Sequence, residues 1–121
     1  MELSNLHSVF LGVSNNALKP EIRQVERLLK NELLVRTVKF WDSNISVEDN
    51  YECIHECDAL LIVLPKDFNK TGMIGKGLYS MILSNSPGCT YVYYKDKIRS
   101  IKDVEKINDP DSWDSYAKLT L

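Results

Sequence analysis

Residues 59–65, ALLIVLP, are the most strongly strand-like stretch of the chain. Six consecutive apolar residues leave neither face polar, and a proline ends the run. A strand of this kind is buried on both faces, which is typical of parallel sheets that are covered by helices on both sides. The chain before and after it should then alternate strands with amphipathic helices.

Three other runs are strand-like, and segments with helical spacing of apolar residues separate them. These runs are residues 8–13 (SVFLGV), 35–41 (VRTVKFW) and 89–94 (CTYVYY). The first helix is expected after Pro20, and Ser46 with Asp49 three residues later forms a capping-box pattern ahead of the second. The third helix is expected in the residues that follow ALLIVLP.

The predicted order β-α-β-α-β-α-β-α indicates a single α/β domain over residues 1–121. We expect a small doubly wound parallel sheet, flavodoxin-like or Rossmann-like, with strand order 2-1-3-4. Residues 98–107 are predicted to be weakly helical, and residues 109–119 to form a turn and a short helix. The polar segment 95–121 is expected to pack on the sheet edge.

The composition is that of a globular protein in a reducing compartment. Of 121 residues, 44% are hydrophobic and 26% are charged, and the net charge of −2 argues against nucleic acid as a partner. No apolar run reaches the roughly 20 residues that span a bilayer, and no signal peptide is evident, so we expect a cytoplasmic protein without a membrane partner. Cys53 and Cys57 lie one helical turn apart with no further ligand on that face, so no metal site is expected. We also expect no cofactor.

In a doubly wound sheet, ligands bind beyond the carboxyl ends of the strands where the strand order reverses, here between strands 1 and 3. The loops at that edge are polar and rich in small residues. A sugar or nucleoside would suit such a crevice, with an aromatic ring as the flat surface for a base. The alternative is that these polar side chains only form hydrogen bonds with the backbone of their own loops. The predicted ligand-binding residues are Gly12, Ser14, Asn15, Asp42, Lys66, Asp67, Phe68 (the aromatic ring), Thr71, Gly72 and Lys76.

Residues 70–78, KTGMIGKGL, hold three of the five glycines in the chain. Their spacing fits neither the P-loop pattern nor the dinucleotide-binding glycine pattern. We predict instead that a helix begins near Thr71 or Gly72 and directs free N–H groups at the crevice, where they would favour an anion. Gly75 and Gly77 are expected to let this helix pack closely on the sheet.

Residues 54–82, IHECDALLIVLPKDFNKTGMIGKGLYSMI, resemble the third strand and third helix of the nucleoside 2-deoxyribosyltransferase-like proteins. That family includes nucleoside transferases and nucleotide N-glycoside hydrolases. Asp58 stands where the family carries an acid before this strand, and VFLGVS resembles its opening strand. The same residues are also similar to Toll/interleukin-receptor-type domains. The resemblance implies a Rossmann-like fold and a nucleoside, nucleotide or NAD-derived ligand.

The glutamate that serves this family as nucleophile has no counterpart in the chain. Alignment on Gly72 places Lys76 at that position, and a shift of one residue places Gly75 there. A lysine cannot form the glycosyl ester that the mechanism uses. The resemblance therefore implies a pseudoenzyme, a sensor, sequestering or regulatory protein in which the Lys76 ammonium would attract a phosphate.

Two other functions are compatible with the sequence. One is an active N-glycoside hydrolase or transferase that uses Asp67 as its catalytic acid, although such chemistry also needs a second acid. The other is a protein interaction module or inhibitor, with a protein partner or a second copy of the chain as a homodimer. Trp113 and Tyr116 would then serve as interface anchors, unless they only cover the sheet edge.

Overall fold

The computed structural model describes residues 6–13, 19–64, 68, 72–107 and 117–121. Two sheets are present within these ranges. The larger has the order β2-β1-β3-β5-β6, and the smaller has the order β4-β8-β7. The strands are β1 Ser8–Val13, β2 Thr37–Phe40, β3 Ala59–Val63, β4 Met73–Ile74, β5 Thr90–Tyr94, β6 Lys97–Ser100, β7 Asp103–Lys106 and β8 Ala117–Thr120.

The larger sheet is mostly parallel. Strands β2, β1, β3 and β5 pair in parallel, and β6 pairs antiparallel with β5. This mixed α/β architecture agrees with the predicted fold class and is compatible with a Rossmann-like or flavodoxin-like fold. The predicted order 2-1-3-4 differs from it in detail, because the sheet continues past β5 and a second sheet is added.

The largest difference between the predicted and the observed secondary structure lies after β5. Residues 98–107 were expected to be helical but contribute to β6 and β7, and residues 117–120 form a strand rather than a helix. The physical reason is a tight turn in which Lys95 and Asp96 adopt φ values of 52° and 60°. Two consecutive residues with positive φ form the kind of two-residue turn that joins antiparallel strands.

Helices cover both faces of the larger sheet. Their ranges are α1 Lys19–Arg27, continued by a π-helical turn at Leu28–Glu32, then α2 Val47–Glu56 and α3 Lys76–Ser84. The predicted start of α2 is confirmed, because Ser46 Oγ accepts a hydrogen bond from the Asp49 N–H at 3.1 Å. In the described part of the chain, no helix is both long and apolar enough to cross a membrane.

Strand β3 contributes to both apolar cores, as the apolar stretch ALLIVLP predicts. All five of its residues are buried. Leu61 and Val63 pack with Val25 and Leu29 of α1 on one face. On the other face, β3 packs against α2 and α3 through Leu60, Ile62, Ile54, Leu78, Met81 and Ile82.

Candidate functional site

A cavity of about 500 Å³ opens at the carboxyl edge of the larger sheet, beside the first turn of α1. Its walls come from α1, from the ends of β3 and β5, and from the β5–β6 turn. Small-molecule sites typically occupy roughly 300–1,000 Å³ and lie at this edge of α/β sheets. The lining residues are Pro20, Glu21, Gln24, Leu64, Tyr93, Tyr94, Lys95 and Asp96.

Tyr93 is a buried polar residue in the wall of this cavity. Its side chain is 9% exposed, because β5 directs it onto the α1 face of the sheet. The Tyr93 hydroxyl donates to Asp96 Oδ1 at 3.3 Å. Burial, and then the negative charges of Asp96 and Glu21, raise the pKa of the Tyr93 phenol. The phenol is therefore protonated at neutral pH and acts as a donor.

The charges around the cavity are unevenly distributed. Glu21 and Asp96 bring two carboxylates close enough to raise the pKa of one phenol. The wall also contains one cation, Lys95, whose Nζ lies 5.6 Å from the centre of the Tyr94 ring. Gln24 adds an amide that can both donate and accept. Such a lining favours neutral, hydroxyl-rich molecules over anions, since an anion would lie beside two carboxylates.

Several predicted site residues fall outside the described ranges. These are Ser14, Asn15, Lys66, Asp67 and Thr71, which were predicted to lie in loops, and the two aromatic residues Trp113 and Tyr116.

Gly12 is a packing residue, in contrast to its predicted place in a ligand site. It lies buried in β1, where an added Cβ would come within 2.6 Å of Ile62 Cδ1 and 3.1 Å of Met81 Sδ. The absence of a side chain therefore lets α3 approach the sheet. This role was predicted for Gly75 and Gly77, but Gly75 precedes α3 as its N-cap and a Cβ on Gly77 would meet nothing within 4 Å.

Phe68 belongs to the core, so the predicted open surface for stacking a base is wrong. Its side chain is 4% exposed. The ring packs edge-to-face on Tyr94, with ring centroids 5.3 Å apart. Tyr94 in turn lines the cavity, so Phe68 supports the cavity wall from behind.

Gly72 forms a turn rather than the start of a helix. Its φ of 63° lies in the left-handed region that glycine adopts without strain. Its N–H donates to Phe68 O at 2.6 Å, and its carbonyl accepts from Leu119 N at 2.8 Å. Helix α3 begins only at Lys76, which is exposed and does not line the cavity.

The Asp42 side chain forms a hydrogen bond within its own loop, which is the alternative to ligand binding. Its Oδ1 accepts from Asn44 N at 2.9 Å. Asn50, which is 1% exposed, accepts from Asp42 N at 2.9 Å and donates to Asp42 O at 2.9 Å and Ser46 O at 3.0 Å. The sequence prediction missed Asn50, although its position one turn before Ile54 places it on the buried side of α2.

Asp58 lies at the amino edge of the sheet, opposite the cavity. Its Oδ2 accepts from the backbone N–H groups of His7 at 2.7 Å and Ser8 at 3.1 Å. These two bonds lower the pKa of the Asp58 carboxyl. The acid that the resemblance singles out therefore joins the starts of β1 and β3.

Replacing Asp58 with alanine should lower the urea midpoint of unfolding at neutral pH by roughly 0.5 M, because both bonds are lost. The folded pKa of Asp58 lies below 3.8, so its contribution is complete above that pH and is lost as the pH falls through the folded value. The difference between the two proteins in urea titrations should therefore shrink as the pH falls through that value. Asp58→Asn, which keeps an acceptor without the charge, should lie between them, whereas a pH-independent difference would contradict this account.

Comparison of the chain with models of protein families, with curated proteins and with solved structures gives no match.

Proposed function

We propose that the protein is a cytoplasmic nucleoside-binding protein on a Rossmann-like or flavodoxin-like scaffold, with its ligand in the cavity beside α1. The observation that carries the proposal is the cavity itself. It lies at the carboxyl edge of the parallel strands and has the volume of a small-molecule site. Its polar groups are suited to hydroxyl and amide partners.

The lining supports a nucleoside rather than a nucleotide. The carboxylates of Glu21 and Asp96 can accept hydrogen bonds from ribose hydroxyls, and the Gln24 amide can pair with the edge of a base. A phosphate would instead meet two negative charges. The earlier expectation that Lys76 attracts a phosphate gains no support from its position, because Lys76 does not line this cavity.

Binding without turnover is the simplest role for such a site. The resemblance places Lys76 or Gly75 where similar enzymes hold a nucleophilic glutamate, and neither residue can replace it. A protein that recognises a nucleoside without converting it would act as a sensor or would sequester the ligand.

Calorimetric titration tests this proposal with nucleosides, their 5′-monophosphates, NAD and ADP-ribose. We expect heat from at least one nucleoside and weaker binding of its monophosphate. Asp96→Asn should weaken nucleoside binding about tenfold, because a charge-assisted bond is lost. Asp103→Asn, a matched change at an exposed aspartate of β7 outside the cavity, should leave binding unchanged. Absence of heat and of any thermal shift with every nucleoside would refute the proposal.

N-glycoside hydrolysis is a second candidate, because Glu21 and Asp96 place two carboxylates in one cavity. Chemistry of this class uses one carboxyl group as acid and another as base or nucleophile. Chromatography of nucleosides after incubation with the protein would reveal free base. Release of base that is lost in Glu21→Gln would establish this second function in place of simple binding.

A further inference from the structure

Exposed apolar side chains cluster at one edge of the larger sheet. Strand β2 is the edge strand, and its last residue together with the chain directly after it supplies four large apolar residues that are 37% to 52% exposed. We name this set the β2 patch, and it consists of Phe40, Trp41, Ile45 and Val47.

The backbone of β2 also presents hydrogen-bonding groups outward. The Thr37 N–H donates to His7 O at 3.0 Å, so Thr37 directs its backbone groups at β1. Because alternate residues of a strand direct their backbone groups to opposite sides, those of Val38 and Phe40 point away from β1. In the ranges that the structure describes, no strand pairs with this outer side. Such an edge is able to accept another strand.

We propose that two copies of the chain pair through β2 in antiparallel orientation and so continue the larger sheet across a two-fold axis. A two-fold axis brings the start of one strand beside the end of the other, so every contact occurs twice. The strand is preceded by Arg36 and followed by Asp42, which are oppositely charged. In the register whose two-fold axis passes through Lys39, Arg36 of each copy lies opposite Asp42 of the second copy.

The same register brings the outward backbone groups together. Val38 of one copy then faces Phe40 of the second copy, and the two β2 patches lie on either side of the axis. Lys39 of one copy faces Lys39 of the second copy at the axis, and these like charges repel. Two Arg36–Asp42 pairs of opposite charge offset this one repulsive pair. This self-complementary pattern indicates a second copy as the partner.

Sedimentation velocity over a range of concentrations tests the proposal with the full chain. The wild-type protein should show a reversible monomer–dimer equilibrium. Phe40→Lys should raise the dimer dissociation constant about tenfold or more, because it adds two like charges to the interface. Leu83→Lys is the matched control, because Leu83 is a 60% exposed apolar residue of α3 outside the β2 patch, and it should leave the constant unchanged.

Substitutions of the charged residues test the proposed register separately. Lys39→Thr should lower the dimer dissociation constant by removing the pair at the axis. Arg36→Asp should raise it, and adding Asp42→Arg should restore much of the loss. Circular dichroism of each variant confirms that the fold is retained.

Hydrogen exchange of the wild-type protein gives a readout that needs no substitution. The Val38 and Phe40 amides should exchange more slowly at high than at low protein concentration. A protein that stays monomeric up to about 1 mM, or equal loss of association in Phe40→Lys and Leu83→Lys, would overturn the proposal. A protein that stays monomeric and instead binds an unrelated acidic peptide through β2 would also overturn it.

Discussion

Replacing Asn50 with alanine is expected to lower the free energy of unfolding by about 3 kcal/mol, because a buried hydrogen-bonding network is broken. The Asn50 amide is 1% exposed and makes three hydrogen bonds, two with the backbone of Asp42 and one with that of Ser46. Alanine removes the side-chain partner of the Asp42 N–H and of the Asp42 and Ser46 carbonyls.

Urea unfolding followed by circular dichroism measures this effect. Asn44→Ala is the matched control, because Asn44 belongs to the same loop but is exposed, and it should change stability by less than about 0.5 kcal/mol. Asn50→Asp keeps the oxygen that accepts from Asp42 N but loses both donations, so it should be as unstable as Asn50→Ala at neutral pH. A loss below about 1 kcal/mol for Asn50→Ala would contradict this role.

Replacing Gly12 with alanine is expected to cost about 1–3 kcal/mol through overpacking beneath α3. The new Cβ would lie 2.6 Å from Ile62 Cδ1 and 3.1 Å from Met81 Sδ, so these side chains must move. Ile62→Val removes the closest atom. By itself that change should cost about 0.5–1.5 kcal/mol by leaving a small cavity. Combined with Gly12→Ala, it should instead recover much of the lost stability.

A double-mutant cycle of the four proteins measures this coupling. Gly77→Ala is the control, because a Cβ there meets nothing within 4 Å and Gly77 lies in the first turn of α3. That change should stabilise the protein by up to about 1 kcal/mol, the helix propensity difference between the two residues. Strictly additive effects of Gly12→Ala and Ile62→Val would show that the predicted overlap is not the cause.

The central part of the fold could be predicted because its signals are local. The apolar run of β3 has a polar group on neither face, and burial of both faces follows directly from that pattern. The start of α2 is equally local, since Ser46 and Asp49 are three residues apart. These patterns require no knowledge of what the rest of the chain does.

The C-terminal strands could not be predicted in this way. Lys95 and Asp96 adopt the backbone conformation of a hairpin turn, but they lack the Asn-Gly or Gly-Gly sequence that is typical of such turns. Strands β6 and β7 contain four residues each, with no buried residue in either. Their conformation therefore depends on pairing with distant partners rather than on their own apolar pattern.

The cavity lies at the edge of the sheet where a ligand site was predicted, but other residues line it. The predicted residues lie in loops that follow strands. One of them, Asp42, instead forms a hydrogen bond within its own loop. The cavity instead takes Glu21 from the first turn of a helix and Tyr93 and Asp96 from a hairpin. These residues are far apart in sequence, and only the packing of α1 beside β5 brings them together.

The pairing of β4 with β8 has a consequence for folding during synthesis. Strands β1, β2 and β3 can assemble once the first half of the chain is available, and β5 can join soon afterwards. The turn at Gly72 and strand β4 cannot be completed then, because their partners lie in residues 117–120. A nascent chain that ends before Ala117 would hold its central sheet while Met73 and Ile74 still lack their strand partner. Such long-range pairing forms slowly, so this corner of the molecule should be the last to become resistant to proteases.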